Sequence, residues 1–397
     1  MPTTHPPGLV FGADLTGLAV LRSLGRNGVP AFVAGARVAL VGSSRWYRPA
    51  PGESIADTGD AEHLARYLET LPFERAVLFP CSDRWAMTTA SLPADTARSY
   101  PAVVAPPEVV GVLIDKARFA RAAEEHGVRV PRTVHVTRVE DMDGFSDAEL
   151  RDSFLKPRDS QSFTQQRGVK GLRLKGRAHA EQLVQELEAD RLEVVLQEII
   201  PGPATAHIFL DGYVDRAGEM RACLARRRLR MFPAEFGNST LSVMMRLAEA
   251  GDALIGLRRL FRGLSFVGLF DAEFKYDARD GQFKLIEVNG RPWWQLELAA
   301  ACGLDVTLMA YRDALGLDFP PAGRYRLGVT WVHPLRDLRA WRAAMRNGAV
   351  PGGFPLKSWS GGANAVFSWD DPMPAKEELT RAARGVVDAV RHRASGG

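Results

Sequence analysis

The stretch KLIEVNGRPWW, residues 284–294, alternates polar and apolar side chains and ends on two tryptophans. In an extended chain, residues two apart share a face. Glu287, Asn289 and Arg291 are therefore expected on one side of a strand, with Ile286 and Val288 packed on the other. A half-solvated edge strand would give a similar pattern. Three hydrogen-bonding groups of different chemistry in register weigh against so plain a use.

Just upstream, DAEFKYDARDGQ (271–282) supplies a second strand and a turn, so the two segments fold as an antiparallel pair that brings Glu273 near Glu287 and Asn289. Two carboxylates and an amide oxygen make a hard-oxygen donor set. Mg²⁺ suits it, because that ion takes one or two protein carboxylates and completes its octahedron with phosphate oxygens and water. Zinc does not, since no His or Cys stands near these acids at ligand spacing. The competing reading is a salt-bridged hairpin in which Lys275 and Arg291 neutralise the two glutamates.

A chain of 397 residues suggests two or three domains, and 46% hydrophobic with 25% charged residues indicates a globular protein. A net charge of +4 favours small anionic ligands and demands no nucleic acid. Cys81, Cys223 and Cys302 are odd in number and far apart, which argues against a disulfide framework and for a reducing cytoplasm. With no basic, apolar leader at the N-terminus and no apolar run of membrane length, a soluble, unexported protein is expected, with no membrane partner.

Residues 8–110 alternate strand and helix patterns: GLVFGA, LTGLAVLRSLGRNG, PAFVAG, AEHLARYLETL and RAVLFPCSD. This predicts an α/β fold with a parallel sheet. GADLTGLAV lacks the G-x-G-x-x-G spacing, so a dinucleotide site is disfavoured, and the Asp14–Gly17 loop reads either as a helix cap or as the border of a substrate cleft. A second unit opens at DKARFARAAEEHG. It continues through the strands SFLKP, GLRL and EVVLQEIIPG and the helix AHAEQLVQELEAD. Long strands are expected at roughly 205–233 and 265–289, separated by a helix, VMMRLAEAGDALIGLRRLF, beginning at Val243. GLDFPPAGR marks a boundary, and a smaller region follows from about Tyr325.

Lys156 ends an apolar strand in FLKP, where an unpaired ammonium would be costly, and Lys116 and Lys170 adjoin similar elements. Each alone reads as a surface residue; together with the carboxylate-amide hairpin they suggest phosphate binding. No G-x-x-x-x-G-K-[ST] is present, which excludes a P-loop.

In this order DKARF, LKPRDSQSF, VVLQEIIPG, RRRLRMFPAEFG and GLFDAEFKYDARDGQFKLIEVNGRPWW resemble the ATP-grasp superfamily, and within it the D-aspartate-ligase-like and carbamoyl-phosphate-synthetase-like carboxylate-amine ligases. The resemblance implies a Rossmann-like pre-ATP-grasp domain at 1–112, a two-lobed α+β ATP-grasp domain at 113–318 with its small lobe at about 117–198, and a C-terminal extension at 319–397. It implies that ATP and Mg²⁺, with Mn²⁺ as an alternative, serve the reaction. Lys116 and Lys156 would hold the α- and β-phosphates. Gln197 and Glu198 would lie at the hinge, with Glu198 beside the adenine and the backbone of Ile199 and Ile200 along the base edge. Glu273, Glu287 and Asn289 resemble the Mg²⁺ shell, and Arg291 the arginine that steadies the transferring phosphoryl group. RDSQSFTQQRGVKG resembles the mobile phosphate loop, with Ser160, Phe163 and Lys170 at typical positions and Lys170 counted with Arg291 as catalytic.

The chain departs from the pattern at Thr205, where many relatives carry an acid for the ribose, and in a loop poorer in glycine. Arg228 and Arg230 alternate onto one strand face and match basic substrate-carboxylate positions; the alternative is a solvated strand edge. Trp293 and Trp294 either wall the site or fill the core. The implied activity is ADP-forming ligation of a small carboxylate and an amine, both amino-acid-like, through an acyl phosphate, with a homodimer left open. The alternative is a nucleotide-binding regulator with the same fold and no turnover.

Overall fold

The computed structural model describes residues 5–35, 38–158, 171–190, 192–234, 237–319, 323–346 and 356–395. The chain forms two compact units: Met1–Val104 with Arg291–Leu335 and Gly353–Gly397, and Ala105–Gly290 with Arg336–Gly352. These units interleave along the sequence, so the residues after 318 are shared between both.

The first unit is built on a 3-stranded parallel sheet in the order β2-β1-β3, from β1 (Gly8–Phe11), β2 (Ala31–Ala34) and β3 (Val77–Pro80). Leu9, Phe11, Leu64, Leu68, Leu78 and Trp85 fill the core on one side. Helix α1 (Leu15–Arg26) is buried from Leu15 to Leu24. It follows β1 through a tight turn: Gly12 has φ +127°, and a Cβ on Gly17 would lie 2.0 Å from the Gly12 carbonyl oxygen. Asp14 caps this helix, its Oδ1 accepting from the amides of Thr16 (2.9 Å) and Gly17 (3.3 Å).

Arg22 on α1 is fully buried, where an isolated guanidinium would be prohibitive. It is matched by Glu297 (2.7 Å) and Asp371 (2.9 Å), and it donates to the carbonyls of Val366 and Asp371. Asp371 also accepts from Ser44 Oγ and the Arg45 amide. Burial pushes the Glu297 carboxyl upward despite Arg22. This cluster fastens the segment around 366–371 onto the first unit.

In the second unit, a 4-stranded antiparallel sheet runs β4-β7-β5-β6, from β4 (Thr133–Val136), β5 (Ser153–Pro157), β6 (Leu172–Arg173) and β7 (Val194–Glu198). The helix Arg177–Ala189 packs on it through Ala180, Val184 and Leu187. The larger antiparallel sheet runs β12-β11-β8-β9-β10, from β8 (His207–Val214), β9 (Met220–Phe232), β10 (Asn238–Met245), β11 (Gly268–Asp277) and β12 (Gln282–Asn289).

Three local expectations change. The span 205–233 is a hairpin, turned where Asp215 Oδ1 accepts from the amides of Ala217 and Glu219. Val243–Met245 belongs to β10, and the helix begins only at Asp252, after Gly251 at φ +49°. The apolar VMM run satisfies either period, and pairing with β9 decides for the strand. Finally, β12 ends at Asn289, so Arg291 is not a third residue on its face. Gly290 allows the close exit: a Cβ there would meet Leu113 Cδ1 at 2.9 Å and Phe266 Cε2 at 3.1 Å.

Replacing Arg22 by Ala leaves buried Asp371 with only the neutral donors Ser44 and the Arg45 amide, and Glu297 with Arg26 alone. The expected loss is about 3–5 kcal/mol, read as a lower urea midpoint for the first unit's transition; a variant as stable as the unsubstituted protein would show the cluster to be incidental.

Candidate functional site

The DARDG turn forms as the sequence predicts. The Gly281 amide donates to the Asp277 carbonyl (2.9 Å), and buried Asp277 accepts from the Arg279 amide and side chain and from Lys284. Arg279 and Lys284 outweigh burial and hold the Asp277 carboxyl well below the usual range. The turn sets the register Glu273↔Glu287 and Asp271↔Asn289, and a bulge at Ile286 then resumes pairing at Phe274↔Leu285. Glu273 and Glu287 thus stand directly opposite one another, an arrangement that like charges disfavour.

The structure distributes this charge unequally. Glu273 Oε1 accepts from His207 Nδ1 (2.5 Å) and pairs with Arg228 Nη1 (3.0 Å), while Oε2 accepts no hydrogen bond among the described residues. Burial alone would raise its carboxyl, but Arg228 foremost, with His207 and Lys156, holds it well below the usual range. Burial lowers the His207 imidazole against the pull of Glu273. Glu287 reaches solvent yet is crowded by protein; that crowding and the charge of Glu273 push its carboxyl up, against the pull of Lys156 and Lys116. A cation shared by the two carboxylates would relieve this repulsion.

Lys156 leaves β5 on the side of the acids and is held by Gln197 Oε1 (2.9 Å), whose amide donates in turn to Thr133 Oγ1 (3.0 Å). Lys116 opens the helix Lys116–Glu125 after its cap, Asp115, which also binds Arg158. Both lysines come within electrostatic reach of Glu287. Ser160, Phe163 and Lys170 lie outside the described residues.

Other expected residues are engaged differently. Glu198 pairs with Arg279 of the hairpin turn and accepts from the Arg132 amide (3.2 Å). The Ile199 amide donates to the Asp152 carbonyl (2.7 Å) and Ile200 is buried, so the Ile199 amide is engaged within the protein. Exposed Thr205 offers its carbonyl to Arg227. β9 runs between β8 and β10, which rules out a solvated edge for Arg228 and Arg230, and a register shift between their partners Ser242 and Leu241 interrupts the alternation expected to put both on one face. Arg228 is buried against Glu273, Ser239 Oγ (2.8 Å) and the Phe209 ring. Arg230 is held by both oxygens of buried Asp337 (2.9 and 2.6 Å), on the helix Pro334–Arg346. The hairpin salt bridges proposed for Lys275 and Arg291 are likewise replaced, since Arg228 and His207 take Glu273.

Arg291 belongs to the first unit, where its Nε donates to Asp83 Oδ1 (2.6 Å) and its Nη1 to the Pro292 carbonyl (3.1 Å). Trp293 is core, and Trp294 Nε1 approaches Asp14 Oδ2 (3.4 Å).

Sequence reading missed His207, Asp211, Arg226 and Asp271. The period-2 rule applied to HIFLDG and to DAE would have put His207, Asp211 and Asp271 on the same face as Glu273.

Among the described residues no group of three or more His, Cys, Asp or Glu side chains forms a ready metal cage. The donors fit a Mg²⁺ ion better than zinc, because two opposed carboxylates and an amide oxygen supply the partial shell that phosphates complete. Among the described residues no helix is long and apolar enough to cross a membrane.

No family profile matches the sequence. A D-aspartate ligase from Enterococcus faecium (strain Aus0004) is 27% identical over 196 residues, which is 45% of this chain and 44% of that enzyme, so the chain spans less than half the length of the curated relative it matches. Among solved structures, the β,γ-ATP complex of biotin carboxylase from Campylobacter jejuni superposes with a TM-score of 0.62 at 13% identity, covering 83% of this chain and 75% of that one. An L-amino acid ligase from Bacillus licheniformis gives 0.59 at 13% identity, covering 83% and 79%. The chain has the fold of the ATP-grasp enzymes.

Exchanging Arg228 for Met removes the main cation that keeps Glu273 ionised. Because the folded-state pKa of Glu273 is depressed, its contribution to stability is present above the unfolded value of about 4.3 and is lost as pH falls below it. Urea denaturation at pH 7 and pH 3.5 should show the variant destabilised at pH 7 by about 3–5 kcal/mol and less sensitive to acid; an unchanged acid response would dissociate Arg228 from Glu273.

Proposed function

We propose that this chain is an ADP-forming carboxylate-amine ligase. The observation that carries the proposal is the Glu273↔Glu287 register pair with Lys156 and Lys116 in electrostatic reach. The match to a D-aspartate ligase and the fold shared with an L-amino acid ligase support amino-acid-like substrates. Thiol cysteines and the absence of a spanning helix among the described residues are compatible with a cytoplasmic enzyme.

A carboxylate is a poor electrophile because it is anionic and lacks a leaving group. In the proposed reaction its oxygen attacks the γ-phosphorus of ATP, the bond to the β-phosphate oxygen breaks, and ADP departs. The amine then attacks the acyl carbon, phosphate leaves, and loss of a proton yields the amide. No protein nucleophile is needed. Mg²⁺, when held by Glu273, Glu287 and Asn289, would offset phosphate charge.

The side chains have distinct parts in this scheme. Lys156, kept in place by Gln197, and Lys116 bind phosphate oxygens. Glu273, Glu287 and Asn289 hold the cation, with Arg228 and His207 fixing Glu273 in its ionised form. Arg291 steadies the transferring phosphoryl group through a planar, two-pronged cation. Lys170, in the segment that resembles the phosphate loop, assists it, and Ser160 contributes a hydroxyl to the phosphates. Arg228 and Arg230 contribute positive potential for the substrate carboxylate in company with Glu273 and Asp337.

ADP release measured over paired amino acids, dipeptides and small diacids tests the reading directly, with ATP-independent chemistry or no turnover by any pair counting against it. Glu287→Gln should retain the fold by circular dichroism and lose ADP release; full activity at ordinary Mg²⁺ would remove Glu287 from the cation site. Lys156→Ala should weaken ATP binding by about 1.5–3 kcal/mol, some tenfold to a hundredfold, in calorimetric titration. Unchanged affinity would return Lys156 to a structural role.

A further inference from the structure

Behind the proposed cation ligands lies a buried polar chain that crosses β9, β8, β11 and β12. Arg226 Nε donates to Asp211 Oδ2 (2.6 Å) and its Nη2 to Asp271 Oδ1 (2.6 Å). Asp271 Oδ2 then accepts from Asn289 Nδ2 (3.2 Å). Asp211, Arg226 and Asp271 are all buried, and the strand register places Asp271 opposite both Asp211 and Asn289. Arg226 also lies over the Phe209 ring, its Cζ 3.7 Å from the centroid, which fixes the plane of the guanidinium.

We infer that Asp271, anchored by Arg226, is a positioning residue that sets which end of the Asn289 amide faces the cation site. This role rests on the ligase reading above. A carboxamide can present either its NH₂ or its oxygen, and only the oxygen can ligate a cation. Asp271 Oδ1 is occupied by Arg226 Nη2, and its Oδ2 accepts from the NH₂ end of Asn289. The amide oxygen is thereby turned to the opposite side. Arg226 holds the Asp271 carboxyl group in place, since a guanidinium only donates. Asp211 takes the other edge of the same guanidinium. Outer partners of this kind typically alter metal affinity by 10–100-fold when removed.

The test uses Mn²⁺ titrated by electron paramagnetic resonance into the full chain with ADP present, alongside ADP titration without metal. Asp271→Asn makes the partner able to donate as well as accept, so Mn²⁺ affinity should fall about tenfold while metal-free ADP affinity holds. In an Asn289→Ala background the same substitution should produce no further loss. The exchange Asp271→Asn with Asn289→Asp should recover affinity to within about threefold of the starting protein, because an amide now donates to a carboxylate whose other oxygen serves the cation. A purely structural role would not be rescued by that exchange. Unchanged Mn²⁺ affinity in Asp271→Asn, an equal loss in the Asn289→Ala background, or an exchange variant that folds and binds no better than Asp271→Asn alone would each overturn the inference. Should Asp271→Asn fail to fold, Arg226→Lys, which keeps a cation but loses the fork, must weaken Mn²⁺ in the same Asn289-dependent way. If the unsubstituted protein binds ADP and no Mn²⁺, the cation reading itself falls, and the positioning role with it.

Discussion

Two carboxylates face each other across a pair of strands, and much of the second unit can be understood as a response to that repulsion. Glu273 is stabilised as an anion by Arg228 and His207; Glu287 has no such bonds among the described residues, and its carboxyl is pushed up by burial and by Glu273. A folded chain that keeps such a conflict needs another component to resolve it, because hydrophobic substitutes of similar size would have been cheaper. In the proposed function a divalent cation with bound phosphates would do so, and the lysines on β5 and at the start of the Lys116–Glu125 helix would meet the phosphates.

The same sheet face carries more charge than a protein interior usually tolerates. On it Arg226 is bonded to Asp211 and Asp271, and Arg228 and His207 to Glu273, while Glu273 faces Glu287 across the strand pair. Such a network is rigid because each member has few alternative partners, and rigidity is what preorganised electrostatics require. Hence the arginines of β9 serve first as counterions within the sheet; any contact they make with a substrate is made by groups already fixed.

How far the sequence could be read depends on whether the signal was local. Period-2 alternation and the DARDG turn are local, and they placed Glu273 opposite Glu287 and the β11-β12 hairpin in register. Strand and helix alternation in the first hundred or so residues likewise predicted the parallel sheet. The helix assigned from Val243 failed because Val-Met-Met carries no period of its own and the deciding contact is with β9. Arg291 looked like a continuation of β12 because alternation says nothing about where a strand stops, and the tight exit at Gly290 depends on Leu113 and Phe266, both distant in sequence. The partners of Arg22, Arg228 and Arg230 are set by tertiary packing, so no reading of neighbours could have supplied them.

The Arg22 cluster has a further implication, one of timing. During synthesis α1 leaves the ribosome 349 positions ahead of Asp371, which completes the setting of its buried guanidinium. Until that distant segment emerges, the first unit would have to bury an incompletely matched cation or leave this side of α1 hydrated. The first unit therefore closes only after the intervening second unit has been made, and in that interval the apolar faces that flank Arg22 are open to chaperones.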